Sequence, residues 1–227
     1  VDDTLFFTAN DGSHGFELWR SDGTTDGTRM VLEINSASDG MPFDLTPLGD
    51  TLFFSADDGE HGRELWLSDG TAGGTRMLLD LNQDGAAEPY DLTALNGRLF
   101  FAADDGTHGT ELWSSDGTSA GTRMVQDINP DGSASPTQLT AAYQTLFFTA
   151  NDGTHGVELW RSDGLAEQTS MLLDINTDGS AQPTNLKLVN STLFFTADDG
   201  INGRELWTMD APLPAVYLPL AYQQEPT

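Results

Sequence analysis

An all-β fold, assembled from about five copies of one four-stranded unit, is what this sequence predicts. Three observations carry the prediction. A 47-residue period runs along the chain, the segments between turns are rich in strand formers, and Asp-Gly or Pro punctuates every unit. No segment keeps a helical three-and-four periodicity for ten residues, so helix content is expected to be close to nil.

The period is read from columns. Phe-Phe pairs fall at Phe6, Phe53, Phe100, Phe147 and Phe194, each 47 residues from the last. Glu-Leu-Trp follows at Glu17, Glu64, Glu111, Glu158 and Glu205. All five Trp occupy one column, and all four His (His14, His61, His108, His155) occupy another, with Asn202 in the fifth copy. The copies start near residues 4, 51, 98, 145 and 192.

Each unit divides at its turns. A short strand follows a Pro, as in Asp44-Leu45-Thr46, Asp91-Leu92-Thr93 and Gln138-Leu139-Thr140. The Leu-Phe-Phe strand comes next, rich in residues that suit a pleated surface. The turn at Asp104–Gly109 uses Asp and Gly for its backbone angles. Glu-Leu-Trp is the third strand, and Thr-Arg-Met begins the fourth after an Asp-Gly-Thr turn.

Four short strands in 40–50 residues make one propeller blade, and closing such units into a ring removes the exposed edges of an open stack. The prediction is therefore a β-propeller of about five four-stranded blades over residues 1–210. Copy one lacks its Pro-x-x-Leu strand and copy five its Thr-Arg-Met strand. The Pro-rich tail, residues 211–227, is expected to close the ring or to be donated to a neighbour, since its Pro residues suit only an edge strand.

Charge and composition narrow the function. There are 36 Asp and Glu against 9 Lys and Arg, a formal net charge of −27. Nucleic-acid and anionic-membrane partners need clustered Lys and Arg, so neither is expected. No run of about 20 apolar residues exists for membrane insertion. The absence of Cys removes disulfides and thiol chemistry. No Gly-x-Ser-x-Gly, phosphate-cradling loop or His-Glu-x-x-His is present, and no enzyme activity is expected.

Carboxylate loops follow the last strand of the complete units: Asp80-x-Asn82-x-Asp84-Gly85, Asp127-x-Asn129-x-Asp131-Gly132 and Asp174-x-Asn176-x-Asp178-Gly179. Oxygen ligands at positions 1, 3 and 5 with Gly at 6 form the first half of a calcium loop. Glu88, Ser135 and Gln182 at position 9, and Asp91, Gln138 and Asn185 at position 12, are further oxygen donors. Ca2+ is the expected cofactor. Copy one reads Glu33-x-Asn35 and then Asp39-Gly40, two residues longer, and is expected to bind poorly.

The other columns read as structural. Each His is expected to hydrogen-bond within its own hairpin. The Trp and Phe side chains are expected in the core, because adjacent strand residues point to opposite faces and blades bury both. The Glu of Glu-Leu-Trp is expected to pair with Arg29, Arg76 or Arg123, with Ser170 breaking the series.

The string Glu-Leu-Trp-x-x-Asp-Gly-Thr at Glu17–Thr24, Glu64–Thr71 and Glu111–Thr118 resembles the ELWxxDGT repeat family of bacterial exported proteins. Copy four departs from it at Leu165. The resemblance implies an extracellular or cell-surface propeller and no particular chemistry. The expected function is a non-enzymatic, calcium-stabilised display or interaction module with a protein or glycan surface partner. One alternative is the subunit of a self-associating filament or surface layer, assembled through the C-terminal strand. Another is a lectin with one glycan site per blade.

Overall fold

A computed structural model describes residues 1 and 3–211. Among them the chain is all-β, with a single-turn 3-10 helix at Ala166–Gln168. Five antiparallel sheets follow one another along the sequence, one per copy. The first holds β1 (Leu5–Asn10), β2 (Phe16–Ser21) and β3 (Arg29–Leu32). The second holds β4 (Phe43–Leu48), β5 (Thr51–Asp57), β6 (Arg63–Ser68) and β7 (Arg76–Leu79). The third holds β8 (Tyr90–Leu95), β9 (Arg98–Asp104), β10 (Thr110–Ser115) and β11 (Arg123–Gln126). The fourth holds β12 (Thr137–Ala142), β13 (Thr145–Asn151), β14 (Val157–Ser162) and β15 (Ser170–Leu173). The fifth holds β16 (Thr184–Val189), β17 (Thr192–Asp198) and β18 (Arg204–Asp210).

The middle three sheets thus have the four expected strands. The terminal two have three each among the described residues, lacking the strands that the sequence omits. Residues 212–227, expected to supply a closing or donated strand, lie outside the described residues.

Two compact units divide within the third copy: Val1–Gly109 with Trp113–Arg123, and Thr110–Leu112 with the residues from Met124 onward. In the first, Leu18, Val31, Leu52, Phe54 and Trp66 share one core. In the second, Phe147, Leu159, Leu193, Phe195 and Trp207 share another. The register explains the aromatic columns. Phe7 faces Trp19, Phe54 faces Trp66, Phe148 faces Trp160 and Phe195 faces Trp207 across their strand pairs. Their rings stack at 6.4–6.5 Å, within the range of favourable aromatic pairs.

The Asp-Gly-Thr turns hold themselves together. Asp69 Oδ1 accepts bonds from the Thr71 N–H and hydroxyl, Thr71 Oγ1 accepts the Gly74 N–H, and the Thr75 hydroxyl bonds to the Thr71 carbonyl. A Cβ at Gly27, Gly74 or Gly121 would run into the carboxylate of Asp22, Asp69 or Asp116. Copy four has Leu165 for the Thr and Gln168 for this Gly. The turn persists there as a 3-10 helix, with the Gln168 N–H bonded to the Leu165 carbonyl, the Thr169 N–H to the Ala166 carbonyl and the Thr169 hydroxyl to the Leu165 carbonyl.

Candidate functional site

The recurrent polar groups meet around the loop that follows the last strand of a copy. At its base lies the Glu of Glu-Leu-Trp. Glu17, Glu64, Glu111 and Glu158 are each 0% exposed. A buried carboxylate needs donors, and the loop backbone supplies them. Glu64 Oε2 accepts from Leu81 N–H at 3.1 Å and Oε1 from Ala87 N–H at 2.9 Å. Glu158 accepts likewise from Ile175 and Ala181, and Glu111 from Ile128, Asn129 and Ala134. Burial pushes the Glu64 carboxyl up to about 7, against the pull of its N–H partners. Burial raises Glu17, Glu111 and Glu158 as well.

The expected ion pair with Arg29, Arg76 or Arg123 is therefore corrected. Register sets Arg29 opposite Arg20 and Arg76 opposite Leu67, three residues along the strand from the Glu. The three arginines are exposed.

The histidines lie in the adjoining hairpin turn. Nδ1 of His14, His61, His108 and His155 is 2.7–2.8 Å from the Asp three residues before it. In copy five Asn202 Nδ2 donates to Asp199 at 2.8 Å in the same place. The Asp hydrogen bond raises the His14, His61 and His155 imidazoles above their ordinary value. It helps to draw Asp11 down to about 2.

Between hairpin and loop in copy two is a groove of ≈ 520 Å³, lined in part by His61, Asp80, Asn82 and Asp84. Asn82 is a wedge. Its Nδ2 donates to the Ala86 carbonyl and its Oδ1 accepts the Asp84 N–H. Asn129 and Asn176 bond the Ser133 and Ser180 carbonyls in the same way. Each Asn also packs on the hairpin Gly of the following copy: a Cβ at Gly106, Gly153 or Gly200 would stand 2.6–2.7 Å from its amide oxygen. Those glycines have positive φ, so two constraints select them.

The expected calcium ligands divide. Asp80, Asp127 and Asp174, at position 1, each hold one oxygen that is buried and without a hydrogen-bond partner. Asp84, Asp131 and Asp178, at position 5, are exposed. The position-12 residues leave the loop altogether, because Asp91, Gln138 and Asn185 lie within a bulge of the next first strand, with φ near 60°. There side chains reach the next copy: Asp44 Oδ2 accepts Asp91 N–H, and Gln138 Oε1 accepts Asn185 N–H. No three His, Asp or Glu side chains converge at metal-ligating range among the described residues. The orphaned Asp oxygens, repeated in three loops, are what suits a cation. The remaining donors would be Asn oxygens, backbone carbonyls and water.

Copy one is also corrected. Its loop has no insertion: Asp39 Oδ1 accepts Phe16 N–H, as Ser133 and Ser180 hydroxyls accept Thr110 and Val157 N–H. Asp39 thus keeps the 47-residue register, and Ala37 stands where the other copies have Asp.

No protein-family model and no curated protein matches the sequence. Solved structures do match over most of it. A prolyl endopeptidase structure shares 15% identity over 91% of this chain, with a TM-score of 0.59. Puromycin hydrolase shares 16% over 91%, at 0.56, and a putative TolB from Agrobacterium tumefaciens 13% over 91%, at 0.52. The chain spans about a third of the first two (31% and 33%) and 73% of the third. At these identities the likeness shows the fold, which is of the β-propeller type.

Proposed function

We propose that this chain is a non-enzymatic, exported propeller scaffold whose loops bind calcium and which serves as a cell-surface display or interaction module. The observation that carries the reading is how the recurrent titratable groups are used. Four equivalent Glu side chains fasten four equivalent loops through backbone N–H groups. An active site needs carboxylates in two different environments, and equal copies offer one environment repeated. The ELWxxDGT resemblance supports export.

Calcium would be held by Asp80, Asp127 and Asp174 with their loop partners Asn82, Asp84, Asn129, Asp131, Asn176 and Asp178. Its charge would offset part of the −27. The test is thermal unfolding in excess calcium and in excess chelator. A calcium-bound native state melts higher by binding linkage, and the rise shrinks in Asp127→Asn. Equal melting temperatures in the two buffers would remove calcium from the proposal.

Self-association is the second reading, favoured by one edge. Leu206 on β18 is 43% exposed, whereas Leu65, Leu112 and Leu159 in the same column are buried. Glu205 Oε2 is buried without a partner. A strand added along β18 from another chain would cover Leu206 and bring N–H donors to Glu205 Oε2. Light scattering that finds only monomer across a wide concentration range would reject it.

A further inference from the structure

Two neighbouring copies depart from the rest at the residue after the recurrent Pro. The column reads Phe43, Tyr90, Thr137, Thr184. Phe43 and Tyr90 line a cavity of ≈ 260 Å³ together with Asp44, Arg63, Glu88 and Pro89. Phe43 is 54% exposed, so it adds little to the core.

Arg63 is fixed on several sides. Its guanidinium carbon lies 5.6 Å from the Phe43 ring centroid. Nη1 donates to the Met41 carbonyl at 2.8 Å and to Ser55 Oγ at 3.3 Å, and Nε faces Glu88 Oε2 at 3.6 Å. Copy five provides the internal control. Arg204 donates to the Gln182 carbonyl at 2.9 Å, the same clasp, beside Thr184 instead of an aromatic ring. The clasp on the carbonyl therefore needs neither Phe43 nor Glu88.

We propose that this cavity binds one neutral sugar ring, its C–H face on the aromatic side chains and its hydroxyls on Asp44, Glu88 and Arg63. The chemistry selects the ligand. Rings give apolar contact, two carboxylates accept hydroxyl protons, and a guanidinium donates. An anion would meet two carboxylates and a chain of net charge −27. A cation would compete with Arg63 for the Phe43 ring. A Pro-rich peptide would desolvate three charged groups with few donors to replace water. The volume lies below the usual range for drug-sized ligands, which suits a single ring and a Kd on the order of 1 mM.

This names a ligand for the interaction role above and does not need calcium. The test is saturation-transfer NMR on the full chain with glucose, galactose, mannose and N-acetylglucosamine, in calcium and in chelator. At least one sugar is expected to receive saturation in both buffers. Binding should weaken at least tenfold in Phe43→Ala and in Glu88→Gln, both at exposed side chains, and stay unchanged in Thr184→Ala. No transfer to any of the four sugars would overturn the proposal. So would wild-type binding by both site variants, or a Pro-rich peptide binding at Phe43 where the sugars do not. Sugar binding with no calcium effect on melting would count against the calcium reading alone.

Discussion

Leu5-Phe6-Phe7 and Leu52-Phe53-Phe54 are the same tripeptide, on the same kind of strand, paired in the same register with the following Glu-Leu-Trp strand. Leu52, Phe53 and Phe54 are 3%, 1% and 0% exposed, whereas Leu5 is 65% exposed and both first-copy phenylalanines are only partly covered. The second sheet has β4 beside its Leu-Phe-Phe strand, while among the described residues β1 is the edge strand of its sheet. A repeat thus specifies its hairpin, and the neighbouring elements decide whether that hairpin is a core. The same contrast holds for the hairpin glycines. A Cβ at Gly106 meets Asn82, and one at Gly12 meets nothing.

The largest effect should separate the two Phe-Phe pairs. Phe54→Ala empties a fully buried site and should cost about 3–5 kcal/mol. Phe7→Ala, already part-solvated, should cost about 1–2 kcal/mol. Urea unfolding followed by circular dichroism compares them, and equal costs would break the distinction.

The glycine pair sharpens it. Both positions have positive φ, +86° at Gly12 and +78° at Gly106. Gly12→Ala should cost the left-handed penalty alone, about 1–2 kcal/mol. Gly106→Ala must also displace the Asn82 wedge, adding about 1–3 kcal/mol. The same unfolding measurement reads the difference.

A third effect contrasts Glu64 with Glu205. Glu64→Gln turns one backbone N–H acceptor into a donor and should cost about 1–3 kcal/mol. Glu205→Gln, whose Oε2 has no partner, should cost less. The pH dependence has a definite sign. The Glu64 carboxyl holds its proton to about 7 when folded and has an ordinary value of 4.5. The folded state therefore binds more protons between these values, and stability falls as pH rises from 4.5 through 7. Unfolding at pH 5 and pH 8 should show this slope flattened in Glu64→Gln.

Much of this was legible in the sequence. Spacing of Phe-Phe and Glu-Leu-Trp gave the strands, since turn chemistry is local: Asp, Gly and Thr close their own turns through bonds spanning two to four residues. The strands that the terminal copies lack among the described residues could be counted from absent motifs. The role of the Glu column could not, because its partners are backbone N–H groups, which no residue letter marks. The reach of the carboxylate loop departs from the linear pattern for a related reason. A bulge between Tyr90 and Thr93 carries Asp91 onto the next strand, so its place in a linear ligand pattern does not survive folding. The Phe43–Arg63 cavity joins residues that lie in different columns of the repeat, and its charge and aromatic groups meet only across strands.

The sequence alone determined the period, the strand content, the turns and the acidic excess, because each follows from nearest neighbours and composition. The tertiary structure decided which carboxylates are buried, which Asp oxygens are left without partners, and which aromatic ring stands exposed beside a fixed arginine. Those depend on what packs against a residue from another copy, and identical strings in different surroundings bury different surfaces.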